Sequence, residues 1–156
     1  MNPNKNYRPN VAAIIMSSNY PEKIEYFVAE RTDLTGIWQF PQGGIDEGES
    51  AQEALYREML EEIGTDKIEI VSEYPEWLSY DFPEHIAQKM RPFDGQKQRY
   101  YLVKLHKDAV INLDTEHPEF IDHKFVNDND LPDIIAHFKK DVYFKAIEYF
   151  KKEELL

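Results

Sequence analysis

Short apolar stretches separated by turn residues make up most of the hydrophobic pattern of this chain. Stretches of this length, rich in β-branched and aromatic residues, predict β-strands. Seven strands are predicted, over residues 11–17, 24–31, 37–40, 68–74, 77–82, 97–107 and 120–126. The first two flank a turn that contains Pro21 and predict a hairpin, whereas residues 97–107 predict a central strand.

Three other segments, residues 50–64, 131–137 and 141–152, predict helices. Asp128 or Asp130 is a candidate N-cap for the second of them. Residues 83–95 predict a loop, and its length is typical of a functional loop. Strands and helices in this order suit an α/β fold in which helices cover a mixed sheet.

The helix over residues 50–64 has clear ends. Ser50 and Glu53 have the spacing of a capping box, in which each side chain accepts a hydrogen bond from the other residue's backbone N–H. Gly64 is a natural C-terminal stop, because glycine adopts the left-handed conformation without strain. Apolar residues recur every fourth position and predict a buried stripe of Ala51, Leu55, Met59 and Ile63.

Three carboxylates share a narrow arc of this helix. Glu58, Glu61 and Glu62 stand at i, i+3 and i+4, and their like charges repel one another. A hard divalent cation such as Mg²⁺ or Mn²⁺ would offset that repulsion. Arg57 is placed to orient one carboxylate and to pair with Glu49. The alternative is a solvated acidic face, and the three glutamates alone would favour it.

Composition sets broad limits on function. The 156 residues, of which 42% are hydrophobic, suggest one domain over residues 1–156. The absence of cysteine excludes disulfides and thiol chemistry and agrees with a cytoplasmic location. The apolar run at residues 11–16 is too short to cross a membrane. A net charge of −12 argues against broad binding to nucleic acid, DNA included, but not against a substrate held by one end.

The stretch from Gly43 to Thr65 resembles the Nudix box. The fixed positions of that motif are all filled here, by Gly43, Glu49, Arg57, Glu58, Glu61, Glu62 and Gly64. Thr65 departs from the last aliphatic position, which concerns packing rather than chemistry. The resemblance implies a Nudix-like α/β/α sandwich with a mixed sheet, in which the box forms a loop-helix-loop at the mouth of the sheet.

The resemblance extends along most of the chain. Segments outside the box look like the bacterial RNA pyrophosphohydrolase branch of the Nudix hydrolases, which removes pyrophosphate or phosphate from the 5′ end of messenger RNA. These segments are residues 7–11, 38–44, 95–98, 118–120 and 138–143. The plant-type dinucleoside tetraphosphate hydrolases share much of this pattern and are the nearest competitor.

Residues outside the box gain candidate roles from this resemblance. Arg8 and Arg31 align with phosphate-contacting arginines, although surface ion pairs are the commoner fate of an arginine. Phe138 and Lys139 would hold a 5′-terminal base and its phosphate, the alternative for Phe138 being a core position between helices.

Three further positions carry open alternatives. Gln96 and Gln98 would contact a base edge or phosphates, although surface glutamines usually do neither. Glu119 matches an acid that joins the metal site in the family, although a lone glutamate before a strand is ordinarily solvated. The five histidines show no metal-ligand spacing, and each, including His137, is expected to be a neutral surface residue.

The resemblance implies metal-assisted hydrolysis of a phosphoanhydride. Mg²⁺, or Mn²⁺ in its place, would be held by Glu58, Glu61, Glu62, Glu119 and the Gly43 carbonyl. Glu58 or Glu62 would accept a proton from water, with Arg57 completing the catalytic set. The alternative substrate is a dinucleoside polyphosphate such as diadenosine tetraphosphate. A second alternative is a non-catalytic nucleotide sensor, which an intact box disfavours.

Overall fold

The computed structural model describes every residue from Met1 to Leu156. It contains eight strands and four helices. The strands are β1 (Tyr7–Met16), β2 (Tyr26–Arg31), β3 (Trp38–Gln39), β4 (Gln42–Gly44), β5 (Ile68–Glu73), β6 (Leu78–Asp81), β7 (Gly95–Leu105) and β8 (Phe120–Val126). The helices are α1 (Ala51–Ile63), α2 (Glu84–Ala87), α3 (Leu131–Ile134) and α4 (Lys140–Lys152).

All eight strands belong to one mixed sheet. Its main path runs β3-β2-β1-β7-β5, while β4 pairs with β1, β6 with β7 and β8 with β2. β1 and β7 run parallel in continuous register, from Tyr7↔Gly95 to Met16↔Lys104. Every other pairing is antiparallel. The predicted mixed sheet with a central strand near residues 97–107 is therefore confirmed.

A gap between β1 and β2 opens the sheet at one end. The two strands pair only at Met16↔Tyr26, so the predicted hairpin is reduced to a single bridge. Beyond this bridge β2 pairs with β3 and β8 instead of β1. β4 pairs with the part of β1 that β2 leaves free, through Asn10↔Gly44 and Ala12↔Gln42. This divergence leaves room for a cavity at the mouth of the sheet.

Helices cover both faces of the sheet, because side chains alternate along its central strands. On β1, Val11, Ala13 and Ile15 face a core that α1 completes with Ala54, Leu55, Met59 and Ile63. Ala12, Ile14 and Met16 face the opposite core, which α4 completes with Val142, Tyr143, Ala146, Ile147 and Phe150. No helix in the chain is long and apolar enough to cross a bilayer.

Several elements differ from the sequence-based prediction, and β4 (Gln42–Gly44) is a strand that the sequence did not predict. β1 begins at Tyr7, because parallel pairing with β7 extends the strand into its polar flank. The predicted loop at 83–95 contains the short helix α2. The helix predicted over 131–137 ends at Ile134, and neither proposed aspartate caps it with a side-chain hydrogen bond. Asp128 instead accepts hydrogen bonds from Tyr26 and Lys151.

Candidate active site

Helix α1 has the ends that its sequence predicts. Ser50 Oγ accepts a hydrogen bond from the Glu53 N–H at 3.1 Å, and Glu53 Oε1 accepts one from the Ser50 N–H at 3.1 Å. Gly64 closes the helix with φ of 77°. A Cβ at Gly64 would overlap the backbone of Asn112, so both the conformation and the space require glycine. These contacts fix the two ends of the helix.

The three glutamates of α1 line one cavity, but they do not share one environment. Glu58 is 9% exposed and Glu62 is 7% exposed, whereas the Glu61 side chain is 58% exposed. A Cβ at Gly43 would overlap the Glu58 carboxylate, so glycine on β4 allows that carboxylate to lie against the backbone. Glu119, which is also exposed, lines the same cavity. We call these four carboxylates the acidic end.

Arg57 is saturated by partners on the side of α1 next to β4. Its Nε and Nη2 donate to the two Glu49 oxygens, each at 2.7 Å. Its Nη1 donates to Glu58 at 2.8 Å and to Glu61 at 3.2 Å, and Nη2 also donates to the Gly44 carbonyl at 2.8 Å. This bidentate pairing lowers the pKa of Glu49 to about 2. Arg57 does not line the cavity, so it positions Glu58 rather than facing the reacting atoms.

Burial and mutual repulsion raise the pKa values of the two inner carboxyl groups. Burial raises the pKa of Glu58, against the opposing effect of Arg57. Burial also raises the pKa of Glu62 well above its ordinary value, and the charges of Glu58 and Glu119 add to that shift. Buried carboxylates that repel one another are costly unless they are protonated or matched by a cation.

The acidic end supplies oxygen atoms of the kind that a divalent cation takes as ligands. Glu62 Oε2 is buried and has no hydrogen-bond partner, so it is free to act as a hard oxygen ligand. No three acidic, histidine or cysteine side chains converge closely enough to form a complete metal site. Glu58 and Glu62 form the inner part of the acidic end, while Glu61 and Glu119 lie at its exposed border. Arg57 donates a hydrogen bond to Glu61, which explains why Glu61 does not join Glu58 and Glu62 in the inner part.

Another part of the same cavity, whose volume is about 1030 Å³, is aromatic and cationic. The Phe138 ring is 42% exposed, and its centroid lies 5.6 Å from that of Tyr80 in an edge-on arrangement. Lys139 Nζ lies within 6 Å of both ring centroids, at 5.8 and 5.9 Å. We call Tyr80, Phe138 and Lys139 the aromatic end. A nucleobase that reached it would find an exposed ring beside a hydrogen-bond donor.

Lys139 is buried without a carboxylate partner. Its ammonium donates only to Gln39 Oε1, at 3.3 Å. Burial lowers its pKa to about 7, and the nearby charge of Arg31 acts in the same direction. An acceptor atom of a bound base or phosphate would therefore find an incompletely satisfied donor.

The two arginines predicted to contact phosphate both line the cavity, but only one of them forms an ion pair. Arg8 makes no ion pair, and a Cβ at Gly44 would overlap its guanidinium group. Arg31 forms a two-point ion pair with Asp33, with distances of 2.8 and 2.6 Å. Arg8 is therefore the arginine available to a phosphate, whereas Arg31 must first exchange its partner.

The two predicted glutamines divide their roles. Gln96 lines the cavity, and its Oε1 has no partner. Gln98 is fully buried and does not line the cavity, so the expected substrate contact is corrected to an internal one. Its Nε2 donates to Asn10 at 2.8 Å and to Gln42 at 3.1 Å, and its Oε1 accepts from the Tyr100 hydroxyl at 2.8 Å. This network braces the strand that leads into Gly43.

Sequence reasoning missed several residues of this cavity. No motif marks Tyr80, although alternation along 77–82 would place it on one face with Leu78 and Phe82. His137 was expected at the surface, but it is half-buried and its ring contacts the Trp38 carbonyl at 3.0 Å. Burial lowers its pKa, so it is neutral as expected. His85 and His117 line the cavity, and no spacing in the sequence pointed to them.

Comparisons with known proteins agree with this arrangement. The model of the NUDIX domain matches residues 6–146. A protein of a Nitratiruptor species named RNA pyrophosphohydrolase is 64% identical over 149 residues, which cover 96% of each chain. A protein of Helicobacter pylori with the same name is 57% identical over 152 residues, covering 97% of this chain and 98% of its own.

Solved structures share the fold at low sequence identity. A Caenorhabditis elegans Ap4A hydrolase has a TM-score of 0.66 at 19% identity, covering 92% of this chain and 98% of its own. The Escherichia coli dihydroneopterin triphosphate pyrophosphohydrolase has a TM-score of 0.69 at 21% identity, with 94% and 97% covered. These likenesses confirm the expected α/β/α sandwich with a mixed sheet.

Proposed function

Because the chain belongs to the Nudix family, we propose that it is a divalent-cation-dependent RNA pyrophosphohydrolase. It is a phosphoanhydride hydrolase that removes pyrophosphate or phosphate from the 5′ end of tri- or diphosphorylated RNA and so initiates mRNA decay. Relatives that are 56–64% identical over nearly their whole length carry that name. Residues 1–156 act as one domain, and the choice of substrate favours the cytoplasm as its location.

One observation carries the proposal. A single cavity holds buried, mutually repelling carboxylates together with an exposed phenylalanine beside a buried lysine. A polyphosphate that carries a nucleotide has a part to match each of these groups. Phosphates chelated with a cation would meet the acidic end, and a base would meet the aromatic end.

The chain's own residues provide the site for the cation and the proton acceptor. Glu58, Glu62 and the Gly43 carbonyl would hold the cation, with Glu61 and Glu119 completing its ligands. We propose Mg²⁺ as the ion, with Mn²⁺ able to replace it. When bound, the cation neutralises polyphosphate charge and acidifies water. Arg57 fixes the Glu58 carboxylate through the contact between Nη1 and Oε1.

The proposed reaction consumes one water. The water oxygen bonds to phosphorus, the phosphoanhydride P–O bond breaks, and the water proton passes to Glu58 or Glu62. The pKa of both groups is raised, which suits a proton acceptor working near neutral pH. Arg8 would hold a phosphate through its free guanidinium, and Gln96 Oε1 would accept a hydrogen bond from the nucleotide.

Diadenosine tetraphosphate is the second candidate substrate. The net charge of −12 favours a small ligand over a long polyanion. The test measures kcat/KM for a 5′-triphosphorylated RNA and for diadenosine tetraphosphate at matched concentration, with and without Mg²⁺. We expect a higher kcat/KM for RNA and no turnover without the ion. A preference for diadenosine tetraphosphate would reject the proposal, and binding without hydrolysis of either substrate would indicate a sensor.

A further inference from the structure

The cavity extends beyond the acidic and aromatic ends. Its volume of about 1030 Å³ lies at the top of the range for small-molecule sites, about 300–1,000 Å³. The additional wall comes from α2 and the turn after it, which contribute His85, Ile86, Lys89 and Met90. We call these four residues the α2 wall. They belong to the segment over residues 83–95 whose length suggested a function.

The α2 wall is one face of a helical turn. The Ile86 carbonyl accepts hydrogen bonds from the N–H groups of Lys89 and Met90, at 3.0 and 3.1 Å. The four residues stand at i, i+1, i+4 and i+5, which share a side of a helix. Glu84, at the start of the same turn, does not line the cavity. The acidic residue of α2 is thus kept away from the surface that faces the cavity.

Hydrogen bonds and packing hold the α2 wall in place. The Phe82 N–H donates to the Asp94 carbonyl at 2.8 Å, which ties the two ends of the segment together. Asp94 also exchanges hydrogen bonds with Asn6, each at 2.8 Å. Ile86 and Met90 pack against the core on the α4 face of the sheet. The wall therefore presents a fixed surface to a ligand.

The α2 wall combines polar and apolar side chains at the edge of the cavity. The chain as a whole is acidic, with 30 acidic and 18 basic residues. Lys89 is exposed and forms no ion pair, and His85 is exposed and forms none either. The side chains of Ile86 and Met90 stand beside these two polar groups. An anionic ligand with an apolar surface matches this combination.

The strand that leads into the α2 wall lies three strand positions away from the strand that touches Glu58. β4, which touches Glu58, is separated from β6 by β1 and β7, about 14 Å at the usual strand spacing. β6 carries Tyr80 into the cavity, and α2 begins three residues after β6 ends. A strand of RNA with its 5′ phosphates at the acidic end would run over Phe138 and then meet the α2 wall.

We propose that the α2 wall binds the RNA chain downstream of the nucleotide that stacks on Phe138. Lys89 and His85 contact phosphodiester groups, and Ile86 and Met90 pack against a ribose or a base. The inference rests on the proposed function, because it requires an RNA substrate. It makes the length of the RNA chain a determinant of affinity, which neither the acidic end nor the aromatic end would produce.

The test compares two substrate lengths and two charge reversals. Lys89→Glu is measured on a mononucleotide, a nucleoside 5′-triphosphate that has no phosphodiester group, and on a 5′-triphosphorylated octanucleotide that begins with the same nucleotide. Lys145→Glu is the matched control, since Lys145 is exposed on α4, lies outside the cavity and forms no ion pair. We expect Lys89→Glu to raise KM for the octanucleotide about tenfold, at least five times more than for the mononucleotide. Loss of one phosphate contact should also reduce the slope of log(kcat/KM) against log(salt) by about 0.7.

Two results would overturn the inference while leaving the proposed function intact. One is an equal change of KM for both substrates in Lys89→Glu. The other is a change for the octanucleotide no larger than that in Lys145→Glu. If the wild-type enzyme does not hydrolyse the octanucleotide but cleaves diadenosine tetraphosphate, the proposed function itself fails. In that case an effect of Lys89→Glu on diadenosine tetraphosphate would assign the α2 wall to its second nucleoside and overturn the RNA assignment.

Discussion

The acidic and aromatic ends of the cavity are built in opposite ways. At the acidic end, Arg57 donates to Glu49, Glu58 and Glu61, so much of the geometry is set by contacts within the protein. At the aromatic end, Phe138 is 42% exposed and Lys139 has one weak partner, so both groups remain open to a ligand. The acidic end therefore serves the chemical step, because its charges are already held in position, whereas the aromatic end serves substrate affinity, because its groups are free to bind a ligand.

Removing an inner carboxylate should have the largest effect. We expect Glu58→Gln or Glu62→Gln to reduce kcat about a thousandfold, because each change removes a cation ligand and a candidate proton acceptor. The melting temperature should hold or rise, since one of two repelling buried charges is lost. Turnover is measured by phosphate release and stability by thermal unfolding. Glu148→Gln, on the exposed side of α4, is the control. Near-normal kcat in both variants would refute the assigned roles.

Changing the aromatic end should affect affinity instead. Phe138→Ala removes a stacking surface worth about 1–3 kcal/mol per base, so KM for triphosphorylated RNA should rise about tenfold with little change in kcat. Phe125→Ala is the control, because Phe125 is 37% exposed and lies on β8 outside the cavity. A large fall in kcat with unchanged KM in Phe138→Ala would break the division between the two ends.

The buried Gln98 network offers a structural contrast to both ends. Gln98→Leu leaves the polar groups of buried Asn10 and Tyr100, and of half-buried Gln42, without their partner, at a cost of about 1–3 kcal/mol. We expect a loss of about 2 kcal/mol in the free energy of unfolding, measured by urea denaturation, together with a lower kcat. Gln96→Leu should leave stability nearly unchanged and raise KM. Equal destabilisation by the two changes would show that Gln98 has no special bracing role.

The last prediction concerns the pH dependence of stability, through Lys139. Burial lowers the pKa of Lys139 from 10.5 to about 7, so between these values the folded protein binds fewer protons than the unfolded chain. The contribution of Lys139 to the free energy of unfolding therefore rises with pH in that window, and below about pH 7 the full cost of the buried charge remains.

Lys139→Met removes this titration. The variant should be more stable than wild type below about pH 7, and the difference should shrink toward pH 10.5. Thermal unfolding of both proteins from about pH 6 to about pH 10.5 measures it. A difference that is constant over this range would contradict the lowered pKa.

Local sequence rules predicted α1 well and the remainder of the cavity only in part. Ser50, Glu53 and Gly64 act within one or two turns of the helix, so the sequence alone predicts their effect on where the helix begins and ends. The same local rules placed Glu58, Glu61 and Glu62 together but did not show that Glu61 turns toward Arg57 and solvent. The remaining site residues were located through resemblance to a family, because their spacing along the chain carries no periodic signal.

Sequence by itself determined the capped helix, most strand positions and the acidic arc, since these depend on neighbours a few residues apart. Tertiary structure decided the divergence of β1 from β2, the inward turn of Gln98 and the α2 wall. Gln98 meets Asn10 across 88 positions of the chain, and Lys139 meets Gln39 across 100. Contacts of that range arise from packing the two cores around the sheet, and no short stretch of sequence encodes them.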